Sequence, residues 1–378
     1  MSKPNPLPSS HDKLLFTPGP LTTSLSVKQS MLHDAGSWHF DFNAKVTSIR
    51  ERLLGIAGVS RTSGYECVLM QGSGTFGVEA VFATCVPRTG KVVVLSNGAY
   101  GERMALMLQH LQIEHTVLRT SEYSPNEPAA LDSLLTADAA ITHVAVVHCE
   151  TTTGILNPID EVGAVTRKHG RSLIIDAMSS FGAIPIDLPG IGVDFLISSA
   201  NKCIEGVPGF SFVIARRELL LASEGHARCL SLNLLEQWKA FEKNGQFRYT
   251  PPTHSILAFE QALNELDLEG GVVARGERYR RNHVKLLAGM KTLGLRPFLD
   301  PKVQSFIITS FHCPTDPRFV FSHFYSRLSE KGFIIYPGKL TQAETFRIGS
   351  IGRIFESDIR SLLAAIEETF AELGIREG

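Results

Sequence analysis

Three short segments of the chain carry residues that could act together on one ligand. Lys202 follows the apolar run Phe195–Ile197 and stands among small and polar residues, a setting that suits a lysine that bonds to a carbonyl group. Asp176 ends the apolar run Leu173–Ile175, where a buried carboxylate needs a cationic partner. Gln71–Thr75 is a glycine-rich turn before a helical pattern, and N–H groups at a helix start bind phosphate. An amine, an anion for a protonated ring nitrogen and a phosphate cup are what pyridoxal 5′-phosphate (PLP) requires.

The glycine-rich turn is open to a second interpretation, because Gly72–Gly77 matches the G-x-G-x-x-G pattern of nicotinamide dinucleotide sites. Such a site needs an acidic residue about 20 positions further on, whereas the next apolar run ends in Asn97. A nicotinamide-dependent dehydrogenase would also leave Lys202 without a role. Taken singly, the three segments could be a structural turn, a strand-end aspartate that caps a loop and a solvated lysine; together they favour PLP.

The elements that must position these residues are buried strands alternating with amphipathic helices. The apolar runs are Val92–Leu95, Val144–Val147, Leu173–Ile175, Phe195–Ile197 and Phe212–Ile214. Runs that are apolar on both faces are typical of parallel strands covered by helices on each side. The sequence therefore predicts an α/β fold with a large, mainly parallel central sheet.

The C-terminal third has a different pattern. It predicts helices at 252–266, 272–293, 318–330 and 356–373, and strands at Ser305–Thr309 and around Ile334 and Phe346. A chain of 378 residues is long enough for two domains. We predict an N-terminal segment near the active site (1–20), a large PLP-binding α/β domain (21–255), and a connecting helix with a small α+β domain (256–378).

Composition excludes several kinds of partner. The chain has 37 basic and 38 acidic residues and no Lys/Arg-rich run, which argues against binding to nucleic acid or to an anionic membrane. No stretch approaches the roughly 18 apolar residues of a membrane helix, and the N-terminus lacks the apolar run of a signal peptide, so we expect a cytoplasmic protein. His148–Glu150 are consecutive on a strand pattern and point to alternating faces, so no metal site is predicted.

A family resemblance spans nearly the whole chain. Its blocks are Leu14–Thr23, Gln71–Thr75, Ser96–Arg103, His148–Gly154, Ile175–Ser180, Ile197–Gly209, Tyr249–His254 and Phe346–Gly352. On these blocks the chain resembles the class V, fold-type I PLP-dependent aminotransferases, and within them the branch that acts on 2-aminoethylphosphonate and pyruvate.

For the cofactor, the resemblance implies that Lys202 bonds covalently to PLP and that Asp176 pairs with the pyridine nitrogen. Ser73, Gly74 and Thr75 would hold the phosphate.

The resemblance also implies that Tyr100 lies over the ring and that the hydroxyl of Thr152 reaches the O3′ side. Either Thr250 or Thr253 would reach the phosphate of the neighbouring subunit, which makes a homodimer with active sites at the subunit interface.

For the substrates, the resemblance implies that Arg347 binds the carboxylate of pyruvate or L-alanine. The loop Thr17–Ser24, through Gly19, Thr22 and Thr23, would contribute hydroxyl and N–H groups for the phosphonate. The expected activity is a transamination in phosphonate metabolism that gives phosphonoacetaldehyde and L-alanine. An alanine:glyoxylate or serine:pyruvate aminotransferase would share every cofactor residue, and a non-catalytic PLP-binding regulator would bind the cofactor without turnover.

Overall fold

The computed structural model describes residues 12–338, 340 and 343–375. Residues 1–11 of the predicted N-terminal segment lie outside the described residues. The helices are α1 Leu25–Gln29, α2 Phe40–Ile56, α3 Gly74–Cys85, α4 Ala99–His110, α5 Pro128–Ala137, α6 Ile159–Lys168, α7 Leu188–Ile191, α8 Arg217–Ala222, α9 Leu234–Asn244, α10 Thr253–Glu269, α11 Gly271–Thr292, α12 Phe321–Glu330 and α13 Glu356–Leu373. The strands are β1 Leu14–Leu15, β2 Tyr65–Gln71, β3 Lys91–Ser96, β4 Glu114–Arg119, β5 Ile141–Val147, β6 Cys149–Glu150, β7 Ile155–Leu156, β8 Ser172–Asp176, β9 Phe195–Ser199, β10 Phe210–Arg216, β11 Ile308–His312, β12 Phe333–Ile334, β13 Tyr336–Pro337 and β14 Thr345–Gly349.

A seven-stranded sheet in the order β2-β10-β9-β8-β5-β3-β4 forms the centre of the large α/β unit. Strands β3, β4, β5, β8 and β9 run parallel to one another, as the apolar runs predict for β3, β5, β8 and β9. The strand that contains Phe212–Ile214 departs from the prediction, because β10 is antiparallel to both β9 and β2. Only ten residues join β9 to β10, which is shorter than a helical crossover between parallel strands requires.

The carboxyl ends of the parallel strands meet at one edge of this sheet. Asp176 is the last residue of β8 and stands beside Ile197 of β9, and Lys202 comes three residues after β9 ends. Ligands of open α/β sheets bind outside this edge.

The smaller C-terminal part has its own sheet, in the order β11-β14-β13, and its own apolar core. Strand β11 begins at Ile308, three residues later than predicted. The reason is local, since the backbone N–H of Ser305 donates to Gly154 O at 2.8 Å and the carbonyl of Ser305 accepts from the Gln304 side chain. These bonds fix the preceding residues in a loop.

None of the helices in the part of the chain that the structure describes is both long and apolar enough to cross a membrane.

Candidate active site

A cavity of about 430 Å³ lies at the carboxyl edge of the central sheet. Its wall includes Lys202, Asp176, Tyr100, the helix start Ser73–Thr75 and Gly19. Gly19 and Lys202, which are 183 positions apart in sequence, therefore share one chamber.

Lys202 projects into this chamber from the turn after β9. Its Nζ donates to the carbonyl of Pro18 at 2.7 Å, and desolvation lowers its pKa to about 8. An amine with this pKa is partly neutral near physiological pH, which suits it to bond to a carbonyl carbon and to accept a proton.

Asp176 faces the same chamber and is 6% exposed. Burial raises the pKa of this carboxyl to about 6, against the hydrogen bond from the backbone N–H of Met178 at 2.9 Å and the positive charges of Lys202 and Arg103. Because burial destabilises the charged form of this carboxyl, a cationic ligand group such as a protonated ring nitrogen would stabilise it.

The anion cup is the start of α3. Ser73 is the N-cap in an extended conformation, and its side chain makes no capping hydrogen bond, so the first N–H groups of the helix are not satisfied by the cap. A Cβ on Gly74 would clash with Sδ of Met178, so a larger residue there would displace the Met178 side chain, which also lines the chamber. The cup thus combines backbone donors with the hydroxyls of Ser73 and Thr75, which suits a phosphate.

Arg103 is a residue of this chamber to which the sequence analysis gave no role. Its Nη1 lies 3.4 Å from Oγ1 of Thr75, and its guanidinium carbon lies 4.9 Å from the ring centre of Tyr100. Arg103 comes three residues after Tyr100 on α4, so helical spacing was the signal that could have found it. Arg103 places a positive charge beside the anion cup.

Two threonines of the His148–Gly154 block, Thr151 and Thr152, have different surroundings. Thr152 is fully buried, and its hydroxyl donates to Glu150 and accepts from the N–H of Ala99 at 3.1 Å. Thr151, its neighbour, lines the chamber instead. The role of Thr152 stays a prediction, and Thr151 is the residue of the pair that lines the chamber.

Arg347 lies on β14 and is 1% exposed. Its Nε donates to the Pro337 carbonyl at 2.9 Å and its Nη1 to the Thr151 carbonyl at 2.7 Å. Its Nη2 is buried and has no hydrogen-bond partner among the described residues, and desolvation lowers the pKa of the guanidinium. A buried cationic donor without an acceptor, anchored to a wall residue of the chamber, fits a carboxylate.

Thr250 and Thr253 lie outside the chamber wall. Thr250 is exposed, and Thr253 is the first residue of α10. The side chain of Gln71, one residue before Gly72 of the wall, donates to the carbonyl of Thr250 at 3.3 Å. Neither residue lines the chamber within this chain, and the assignment of Thr250 or Thr253 to the phosphate of a neighbouring subunit stays a prediction.

In the loop Thr17–Ser24, Gly19 lies in the chamber wall, whereas Thr22 and Thr23 do not line the chamber. The Thr22 hydroxyl accepts from the N–H of Leu15 at 2.8 Å. A Cβ on Gly19 would lie 2.6 Å from Cδ of Lys202, so the segment packs directly on the lysine.

No group of three or more His, Cys, Asp or Glu side chains within the described ranges is arranged to hold a metal ion.

Comparison with known proteins shows the family to which the chain belongs. Residues 23–322 match the model of the family described as aminotransferase class-V. The chain belongs to the class-V aminotransferases. PLP is the cofactor of this family, so the nicotinamide interpretation of Gly72–Gly77 is set aside.

Relatives of this class-V aminotransferase are similar over nearly their whole length. A 2-aminoethylphosphonate–pyruvate transaminase of Salmonella typhimurium is 52% identical over 360 residues, which are 95% of this chain and 98% of the relative. The protein of the same name from Salmonella heidelberg is also 52% identical over the same shares.

Solved structures show that the fold is that of other aminotransferases. The pyridoxamine–pyruvate aminotransferase of Mesorhizobium loti superposes with a TM-score of 0.88 at 21% identity, covering 98% of this chain and 95% of that chain. An alanine–glyoxylate aminotransferase of Nostoc sp. gives 0.86 at 23% identity, covering 98% and 97%.

The chamber of this class-V aminotransferase fits PLP on its own geometry. The buried Asp176 offers an anion, the start of α3 offers an anion cup with Arg103 beside it, and the Lys202 amine has a lowered pKa.

Proposed function

We propose that this class-V aminotransferase transfers the amino group of 2-aminoethylphosphonate to pyruvate and gives phosphonoacetaldehyde and L-alanine. The observation that carries the substrate assignment is the 52% identity, over 95% of the chain, to relatives named for this reaction. The chamber supports the reaction type, because it brings a desolvated amine, a buried carboxylate and an anion cup together.

Bound PLP supplies an electron sink for the carbon that carries the amine. With PLP bound, Asp176 would accept a hydrogen bond from the ring N–H and keep the proton on that nitrogen. Ser73–Thr75 and Arg103 would hold the phosphate. With PLP bound, Nζ of Lys202 would take the proton from the amine-bearing carbon of the donor and return one to the acceptor in the second half-reaction.

The two substrates carry different anions, and the site must accept both. In the proposal Arg347 binds the carboxylate of pyruvate through Nη2, and the same guanidinium serves the phosphonate of the donor. Gly19, Thr22 and Thr23 remain the predicted additional groups for the phosphonate. Thr22 would first have to release the N–H of Leu15.

The proposal includes a homodimer in the cytoplasm, with Thr250 or Thr253 reaching the phosphate in the neighbouring subunit. The support for the homodimer is the exposure of two large apolar side chains, Trp38 (80%) and Phe40 (73%), which flank His39 in the wall of a hollow of about 620 Å³ between α2 and α10. Large exposed apolar side chains are common at protein–protein contacts.

The proposal is tested by recording the visible absorption of the PLP-loaded protein, adding 2-aminoethylphosphonate, and then adding pyruvate. We expect the yellow absorbance to fall with the donor and to return with pyruvate. A protein that responds to alanine or serine and ignores 2-aminoethylphosphonate would keep the reaction type and refute the donor. A yellow protein that responds to no amine would be a PLP-binding regulator.

A further inference from the structure

The turn that carries Lys202 contains an unusual backbone conformation. Glu205 has a φ of +66°, in the left-handed region that residues other than glycine rarely adopt. In this conformation its N–H donates to the carbonyl of Lys202 at 2.7 Å, which closes the turn. Strained residues of this kind persist where their surroundings fix them, and they concentrate at functional sites.

The side chain of Glu205 shows what fixes it. It is 1% exposed, and its Oε1 accepts from Nη2 of Arg278 and from the hydroxyl of Tyr279, both at 2.6 Å. Arg275, one turn earlier on α11, donates to the carbonyl of Cys203 at 2.7 Å. Helix α11 therefore holds the turn at two residues, Cys203 and Glu205, which follow Lys202 closely. We call this set of bonds the α11 clamp.

The same clamp reaches the strand of the substrate arginine. Nη1 of Arg278 donates to the carbonyls of Gly352 at 2.6 Å and Ile354 at 3.1 Å, in the loop that follows β14. The N–H of Arg353 donates to Thr22 O at 2.7 Å, which ties in the N-terminal segment. The buried carboxylate of Glu205, through Arg278, thus links the turn that carries Lys202 with the loop after β14.

We infer that Glu205 is a positioning residue, whose carboxylate, through Arg278 and Tyr279, sets the Lys202 amine in register with the substrate-binding strand β14. The inference rests on the proposed function only in that Lys202 moves the proton. A residue that positions the amine affects proton transfer more than substrate binding, since a small displacement of a reacting group is costly.

The test compares Glu205→Gly with Glu205→Gln in the PLP-loaded enzyme. Glycine accepts the positive φ without strain and removes only the side chain, whereas glutamine keeps an oxygen that accepts from Arg278 and Tyr279. Glu66→Ala is the matched control, because Glu66 is also fully buried and accepts from Arg217 at 2.7 Å, but lies on β2 outside the chamber wall. Donors deuterated at the amine-bearing carbon, both 2-aminoethylphosphonate and L-alanine, report the proton-transfer step.

For Glu205→Gly we expect kcat to fall about tenfold, the deuterium isotope effect on kcat to rise, and the KM for pyruvate to stay within about twofold. Hydrogen exchange should quicken in peptides covering 200–206 and 350–354. Glutamine should restore kcat to within about threefold, by keeping the acceptor. Glu66→Ala should lower Tm and leave the isotope effect unchanged.

Wild-type kcat and isotope effect in Glu205→Gly would overturn the inference, as would a fall in kcat shared equally with Glu66→Ala. If Glu205→Gly does not fold, Tyr279→Phe removes one of the two bonds to Oε1 and must raise the isotope effect in the same direction; an unchanged value overturns the inference. A failure of 2-aminoethylphosphonate as a donor would refute the proposed function alone, since L-alanine still reports on Lys202.

Discussion

Replacing Gly19 with alanine should displace the Lys202 amine while leaving the other side chains of the chamber in place. An added Cβ would lie 2.6 Å from Cδ and 2.7 Å from Nζ of Lys202, and 2.9 Å from the carbonyl oxygen of Asn201. Carbon atoms in contact need about 3.5 Å, so the lysine must move by roughly 0.9 Å. A misplacement of about 1 Å costs on the order of 100-fold in rate, which sets the expected loss in kcat.

Backbone strain must be separated from this steric effect. Gly19 has a φ of +115°, where alanine costs about 1–3 kcal/mol. Gly332 is the matched control, because its φ is +94° and an added Cβ meets nothing within 4 Å. Gly332→Ala should lower Tm by a similar amount and keep wild-type kcat.

The assay is steady-state production of L-alanine at saturating donor and pyruvate, with Tm measured on the same samples. Gly19→Ala with kcat within a few-fold of wild type would refute the reasoning, because the segment would then yield and the lysine would keep its place. An equal loss in both variants would attribute the effect to strain.

Three further predictions concern the charges around the chamber. In the cofactor-free protein the pKa of Asp176 is raised from 3.8 to about 6, so the charged carboxylate lowers the free energy of unfolding, and this loss grows as pH rises from about 4 to 6. Urea unfolding should therefore show that Asp176→Asn is more stable than the wild type by on the order of 3 kcal/mol at pH 7 and equally stable at pH 3. Equal stabilities at both pH values would contradict this. Arg347→Ala should raise the KM for pyruvate and L-alanine about 10- to 100-fold, since a charge-assisted bond is lost, and intact alanine turnover would count against the carboxylate role. Arg103→Gln should weaken PLP binding about tenfold in a fluorescence titration with little change in Tm, and unchanged affinity would remove Arg103 from the phosphate cup.

The parts of the site that the sequence predicted are those set by local pattern. Lys202, Asp176 and Ser73–Thr75 each adjoin the end of an apolar run, and parallel strands bring such ends to one edge. The direction of β10 was not predicted, because a run that is apolar on both faces does not encode strand direction. The short connection between β9 and β10 was the informative feature.

The residues that the sequence could not place depend on backbone detail or on distant contacts. In the run Thr151–Thr153 the three side chains are chemically identical, and only the turn decides that the first lines the chamber. Glu205 looks like an ordinary polar loop residue until Arg278 and Tyr279, more than 70 positions away, are seen to bond to it. The domain boundaries, and the assignment of Thr250 or Thr253 to a neighbouring subunit, stay predictions.

The desolvation of Asp176 and Lys202, which shifts their pKa values in opposite directions, has a consequence for the lifetime of the protein in a cell. Burial disfavours both charges, so near neutral pH the chain bears an unfavourable energy that a bound cofactor relieves. A ligand that binds only the folded chain shifts the folding equilibrium towards it, and less unfolded chain is then open to proteases. The amount of this enzyme is therefore expected to follow the vitamin B6 supply, with newly made chains degraded faster when the vitamin is scarce.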